Sequence, residues 1–129
     1  MTLIADACAL IVFHGYGGQT MSIAGQAAMS SGDVFVSPIT VWEISRKTAL
    51  GKLELPAPPG FAGSLSEWLR EAGYRILPMT WDACERANAL PMHHKDPMDR
   101  MLIAAALDRR MTVITDDEVF PQYGVTTLW

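Results

Sequence analysis

Asp96-Pro-Met-Asp-Arg-Met-Leu-Ile-Ala-Ala-Ala-Leu-Asp-Arg-Arg-Met-Thr-Val-Ile-Thr-Asp-Asp117 reads as a capped helix that feeds a buried strand ending in acids. Asp96 has the geometry of a helix cap, Pro97 fits the first helical position because its missing N–H is not needed there, and Asp99 lies third, where the helix dipole favours a carboxylate. Met98, Met101, Leu102 and Ala105 form a stripe at helical spacing, which predicts a core-facing side. Thr112 to Thr115 is β-branched and too short for a helix, so it reads as a strand, with Asp117 emerging just past its carboxyl end. The same strand-then-acid pattern stands at the amino terminus, where Leu3 to Asp6 ends on Asp6. Further strand signals cover Val34 to Ser37, Tyr74 to Leu77 and, more weakly, Val125 to Leu128. Helical punctuation fills the gaps. Ser37 caps a helix that opens on Pro38 and stops at Gly51, Ser64 with Glu67 makes a capping box closed by Gly73, and Thr80 starts a short helix ending before Pro91. Strands and helices that alternate in this way predict a parallel sheet covered on both faces.

With 129 residues, half of them apolar and 19% charged, the chain fits one domain over 1–129 with a core that needs no staples. Leu55 to Gly63, with Pro56, Pro58 and Pro59, is the candidate linker and is too short to separate two domains. No internal repeat is present. The opening apolar stretch is cut by Asp6, lacks a basic leader and is too short to span a bilayer, so the reading is a soluble protein with no membrane partner. Cys8 and Cys84 lie far apart without CxxC spacing, which argues against a disulfide framework or a zinc site and favours a reducing cytoplasm. The net charge of -4 argues against a generic nucleic-acid binder but leaves room for a nucleic-acid enzyme. In such an enzyme Arg46, Lys47, Lys52, Lys95, Arg100, Arg109 and Arg110 are available to ring an acidic pocket.

Asp6 and Asp117 follow strands, and Glu43 and Asp99 fall early in helices able to lean over the same sheet edge. Two bare carboxylates about 4 Å apart at an effective dielectric of 20 repel by roughly 4 kcal/mol, so four that converge call for a hard divalent cation. Arg100 is placed to pair with Asp96, with Glu43 or with a substrate phosphate. Thr115 adds a hydroxyl before Asp117. Other conspicuous residues have plainer readings: Trp42, Trp68 and Trp81 sit in helical patterns as packing residues. His93 and His94 lie in a polar turn before the capped helix and His14 in a Gly-rich loop, without a spacing that marks an acid/base pair.

Taken together, LIADACAL (3–10), VFVSPITVWEISRKTALGKLELP (34–56), HHKDPMDRMLIAAAL (93–107), VITDDEVF (113–120) and YGVTTLW (123–129) resemble the PIN-domain family, and within it the VapC-type ribonuclease toxins of toxin-antitoxin pairs. The resemblance implies an α/β/α sandwich around a parallel sheet of order 3-2-1-4-5, with acids at the carboxyl edge holding Mg²⁺ or Mn²⁺. It assigns Asp6, Glu43, Asp99 and Asp117 as the four catalytic acids, with the ion on Asp6, Asp99 and Asp117. Thr115, Arg100 and Asp96 match the family's supporting positions, and Asp116 falls on a variable one. The implied partners are an RNA substrate, a VapB-type antitoxin and a second copy of the chain in a homodimer. The antitoxin's tail is expected in an apolar groove near Trp42, the GKLELP segment and Trp68.

One departure stands out. The family usually has Thr or Ser directly after the first acid, and this chain has Ala7. A lost supporting hydrogen bond costs on the order of tenfold to a hundredfold in metal affinity or activity. Two alternatives therefore accompany the toxin reading: a housekeeping RNA-processing nuclease, and a weakened module that binds a partner without turnover.

Overall fold

The computed structural model describes residues 2–15 and 21–129. Most of the Gly-rich stretch after His14 lies outside them. The elements follow the order β1 (Leu3–Ala5), α1 (Ala7–Phe13), α2 (Ile23–Met29), β2 (Val34–Val36), α3 (Pro38–Ala49), α4 (Leu65–Glu71), β3 (Arg75–Ile76), α5 (Trp81–Ala89), α6 (Pro97–Arg109), β4 (Thr112–Ile114) and β5 (Thr127–Leu128), with a 3-10 turn at Phe120–Tyr123 before the last strand. The five strands form one parallel sheet ordered β3-β2-β1-β4-β5, the order that the resemblance implied.

Alternation along the central strands divides the core in two. Leu3, Ala5, Val34, Val36 and Ile114 face a layer with Leu10, Ile44 and Trp68, whereas Ile4 and Val113 face a layer with Leu102, Ile103, Leu77 and Phe120. Strands covered on both faces read as unbroken apolar runs, as these do. The caps form where the sequence puts them. Ser37 accepts from the Ile39 N–H, Ser64 from Glu67, Thr80 from Ala83, and Asp96 from both Met98 and Asp99. The Leu55 to Gly63 segment lies on the first core layer, with Pro56 and Ala57 buried and Phe61 packed against it. It is therefore a packed connection.

Two expectations change. Of the tryptophans only Trp68 is buried; Trp42 is 52% exposed with the Arg46 guanidinium 5.5 Å from its ring, and Trp81, the first residue of α5, is 93% exposed. A helical pattern does not specify how far round a helix the neighbouring layer reaches. In α6 only half of the predicted stripe is buried, Leu102 and Ala105, while Met98 and Met101 are half-buried and Ile103, Ala104 and Ala106 are buried instead, because α6 packs against both the sheet and α5. That helix ends on Arg110 in the left-handed region at φ 53°, a position usually given to glycine.

Candidate active site

The site is built at the carboxyl edge of the sheet. Asp6 follows β1 and caps α1, Glu43 lies on α3, Asp99 in the first turn of α6, and Asp116 and Asp117 just past β4. Asp6, Ala7, Cys8, Ile11, Glu43, Lys47, Asp99, Asp116 and Asp117 line one cleft of about 250 Å³. Residues remote in sequence thus share one acidic wall because parallel strands all end at the same edge.

Asp6 is the most enclosed of these acids, 8% exposed. Its Oδ1 accepts from the Ala9 N–H at 2.8 Å, and the Thr115 hydroxyl adds a second hydrogen bond. Burial nevertheless dominates and pushes the Asp6 carboxyl up to about 6, with Asp116 and Glu43 adding repulsion. Asp99 is pushed up to about 7, first by burial and then by Asp96, with His94 opposing. Glu43 is raised by burial and relieved by Lys47, whose Nζ lies 3.9 Å from Oε1. Cys8 is driven up to about 12 by burial and by the charge of Asp6, so its thiol stays protonated and is no nucleophile.

At the cleft, side chains able to hold a cation fall into two groups whose ligand atoms lie within 4.8 Å of one another: Glu43, Asp96 and Asp99, and His94, Asp99 and Asp117. Asp99 belongs to both. Asp6 lines the same cleft but stands outside either group, and Asp96, besides capping α6, contributes an oxygen to the first. Oxygen-rich donor sets of this kind fit Mg²⁺ or Mn²⁺ better than zinc. Thr115 serves two acids, since its Oγ1 also accepts from the Asp117 N–H at 3.1 Å.

Arg100 does not pair with Asp96, Glu43 or anything in the cleft. It is buried, and its guanidinium donates to the carbonyls of Ala87, Leu90, Pro91 and His94 and to the Tyr123 hydroxyl. The guanidinium points inward because the carboxyl end of α5 presents unsatisfied carbonyls there, which a five-donor fork matches.

Two residues at the site, Asp116 in the cleft lining and His94 against two of its acids, were not singled out from the sequence. Asp116, which the family pattern leaves variable, lines the cleft and is the charge that acts most strongly on Asp6. His94 places Nε2 2.9 Å from Asp99 Oδ2 and 3.1 Å from Asp117 Oδ2. The contact with Asp99 is local to the start of α6, whereas the one with Asp117 is made across the gap between α6 and the end of β4 and has no spacing that marks it.

A PIN-domain family model matches residues 3–125, and the chain belongs to that family. PIN domains are generally nucleases. No curated protein matches the chain. Among solved structures it is similar over 98% of its length to FitAcB from Neisseria gonorrhoeae, with 20% identity, 96% of that chain covered and a TM-score of 0.65. It is similar to FitAB bound to an IR36 DNA fragment at 21% identity, covering 98% of this chain and 93% of that one, with a TM-score of 0.62. For PAE2754 from Pyrobaculum aerophilum the values are 14%, 98%, 83% and 0.59. At these identities the shared property is the fold.

Proposed function

We propose that this chain is a Mg²⁺- or Mn²⁺-dependent ribonuclease acting as the toxin of a VapBC-type pair. The observation that carries the reading is the meeting of Asp6, Glu43, Asp99 and Asp117 in one cleft at the carboxyl edge of the sheet. Asp99 and Asp117 hold the cation, and Asp6, which stands outside their group, adds its charge from the same cleft, with Asp116 beside it. When bound, such an ion offsets the mutual repulsion of the carboxylates and polarises a phosphoryl oxygen. The protein's own part is to orient and to move protons. Glu43, whose affinity for a proton is raised by burial, takes one from the water that attacks phosphorus. As the new P–O bond forms, the bond to the 3′-oxygen breaks and that oxygen takes up a proton from solvent, leaving a 5′-phosphate and a 3′-hydroxyl. Lys47, a cation lining the cleft, supplies charge for the substrate backbone.

Ala7 does not favour the weakened-module reading. The Asp6 carboxylate keeps two donors without a hydroxyl at position 7, from Ala9 and from Thr115. The antitoxin groove is better supported beside β3 than near Trp68, which is buried. A cavity of about 190 Å³ lies there between Val36, Pro38, Val41, Leu69, Tyr74 and Ile76, flanking an exposed edge strand. A toxin reading further implies a second copy of the chain and a cytoplasmic setting.

Cleavage of total RNA by the purified chain, with Mn²⁺ and with chelator, tests the reading. The parent is expected to cut only with the cation, and Asp99→Asn to lose more than the roughly tenfold to hundredfold of a supporting group. Induced expression is expected to arrest growth, with the arrest relieved by the same substitution. Cutting without arrest would favour a housekeeping nuclease, and RNA left intact by the parent would overturn the enzyme assignment.

A further inference from the structure

His94 contacts two of the proposed ligands, and its ring is fixed from the other side. The Asp96 backbone N–H donates to His94 Nδ1 at 3.2 Å. An N–H donor at Nδ1 requires a lone pair there, so the hydrogen of the neutral ring sits on Nε2, between Asp99 Oδ2 and Asp117 Oδ2. The backbone of the residue is held as well. Its N–H donates to the Tyr123 hydroxyl at 2.7 Å, and its carbonyl accepts from Arg100 Nη1 at 3.1 Å. Tyr123 and Arg100 in turn both donate to the Pro91 carbonyl, which ties the turn before α6 to the carboxyl end of α5.

We propose that His94 is a positioning residue of the nuclease site, whose Nε2–H bridges Asp99 and Asp117 and holds the two carboxylates side by side, and that the ring is not itself a cation ligand. Ligation through Nε2 would move the hydrogen to Nδ1 and set it against the Asp96 N–H, two donors facing each other. A carboxylate oxygen that accepts one hydrogen bond keeps a further lone pair for a cation, so bridging and ion binding are compatible. The proposal rests on the functional reading given above, and its test separates the two.

In the metal-free full chain, long-range proton–nitrogen NMR reads the tautomer directly. Nε2–H is expected, and Nδ1–H would overturn the proposal. The carboxyl carbon resonances of Asp99 and Asp117 are expected to move in His94→Ala and to return toward the parent in His94→Gln, whose amide N–H reaches a similar place. Unmoved resonances would overturn it, even if the parent neither binds Mn²⁺ nor cuts RNA, the outcome that sinks the functional reading. With cation present, His94→Ala is expected to weaken Mn²⁺ binding by roughly tenfold to a hundredfold and to lower kcat with little change in KM, while His94→Gln stays within a few fold of the parent. The loss is expected to be equal for Mn²⁺ and Ni²⁺. A much larger loss for Ni²⁺, which prefers imidazole, would make the ring a ligand and defeat the proposal.

Discussion

Asp6 shows at the scale of one residue how a site is assembled against stability. Its carboxyl is pushed from 3.8 to about 6 by burial, equivalent to about 3 kcal/mol against the charged form, and Asp99 is raised to about 7. The sign is that of a raised carboxyl. Between pH 4 and 7 the folded chain binds more protons than the unfolded one, so stability is greatest below that window and falls as pH rises through it. Urea denaturation of the metal-free chain is expected to give a higher midpoint at pH 5 than at pH 7.5, and Asp6→Asn to remove part of that fall. Asparagine caps helices as well as aspartate does, so the start of α1 is kept. A midpoint that rises with pH over this range would contradict the burial of Asp6 and Asp99. The four acids were readable from sequence as acids at the ends of apolar runs. The contributions of Asp116 to Asp6 and of His94 to Asp117 were not, because each depends on a neighbour brought close only by folding.

At the scale of elements, α6 carries both the site and its support. Asp96 at its amino end caps it and lies against Glu43 and Asp99, while Arg100 one turn later faces away and satisfies four carbonyls around the end of α5. The pattern DPMDR foretold the cap and the first-turn acid, since both are properties of a helix start. It did not foretell the direction of Arg100, because the carbonyls it serves belong to a helix that packs alongside. Arg100→Met is expected to lower stability by on the order of 3 kcal/mol, the scale of a buried charged donor removed from its acceptors. Thermal unfolding monitored by circular dichroism checks this. An unchanged melting temperature would instead favour an outward, substrate-facing arginine.

At the scale of the whole molecule, five parallel strands in the order β3-β2-β1-β4-β5 bring their carboxyl ends to one edge, and the acids follow. Because ions that bind only the folded chain stabilise it, Mn²⁺ at about a hundred times its dissociation constant is expected to add about 2.7 kcal/mol. A differential scanning melt should show a rise of several degrees, absent in Asp99→Asn. A rise retained in that variant would place the ion elsewhere. Local rules already carried the strand and helix order, the caps at Ser37, Ser64, Thr80 and Asp96, and the four acids at the edge. Each of these depends on hydrogen bonds within a few residues or on the period of apolar side chains. Three things were decided by packing between distant segments: the exposure of Trp42 and Trp81, the inward turn of Arg100, and the contact of His94 with Asp117. Arg100 meets the α5 carbonyls and His94 meets Asp117 only once α5 and β4 have docked against α6, so no pattern within a single segment can encode them.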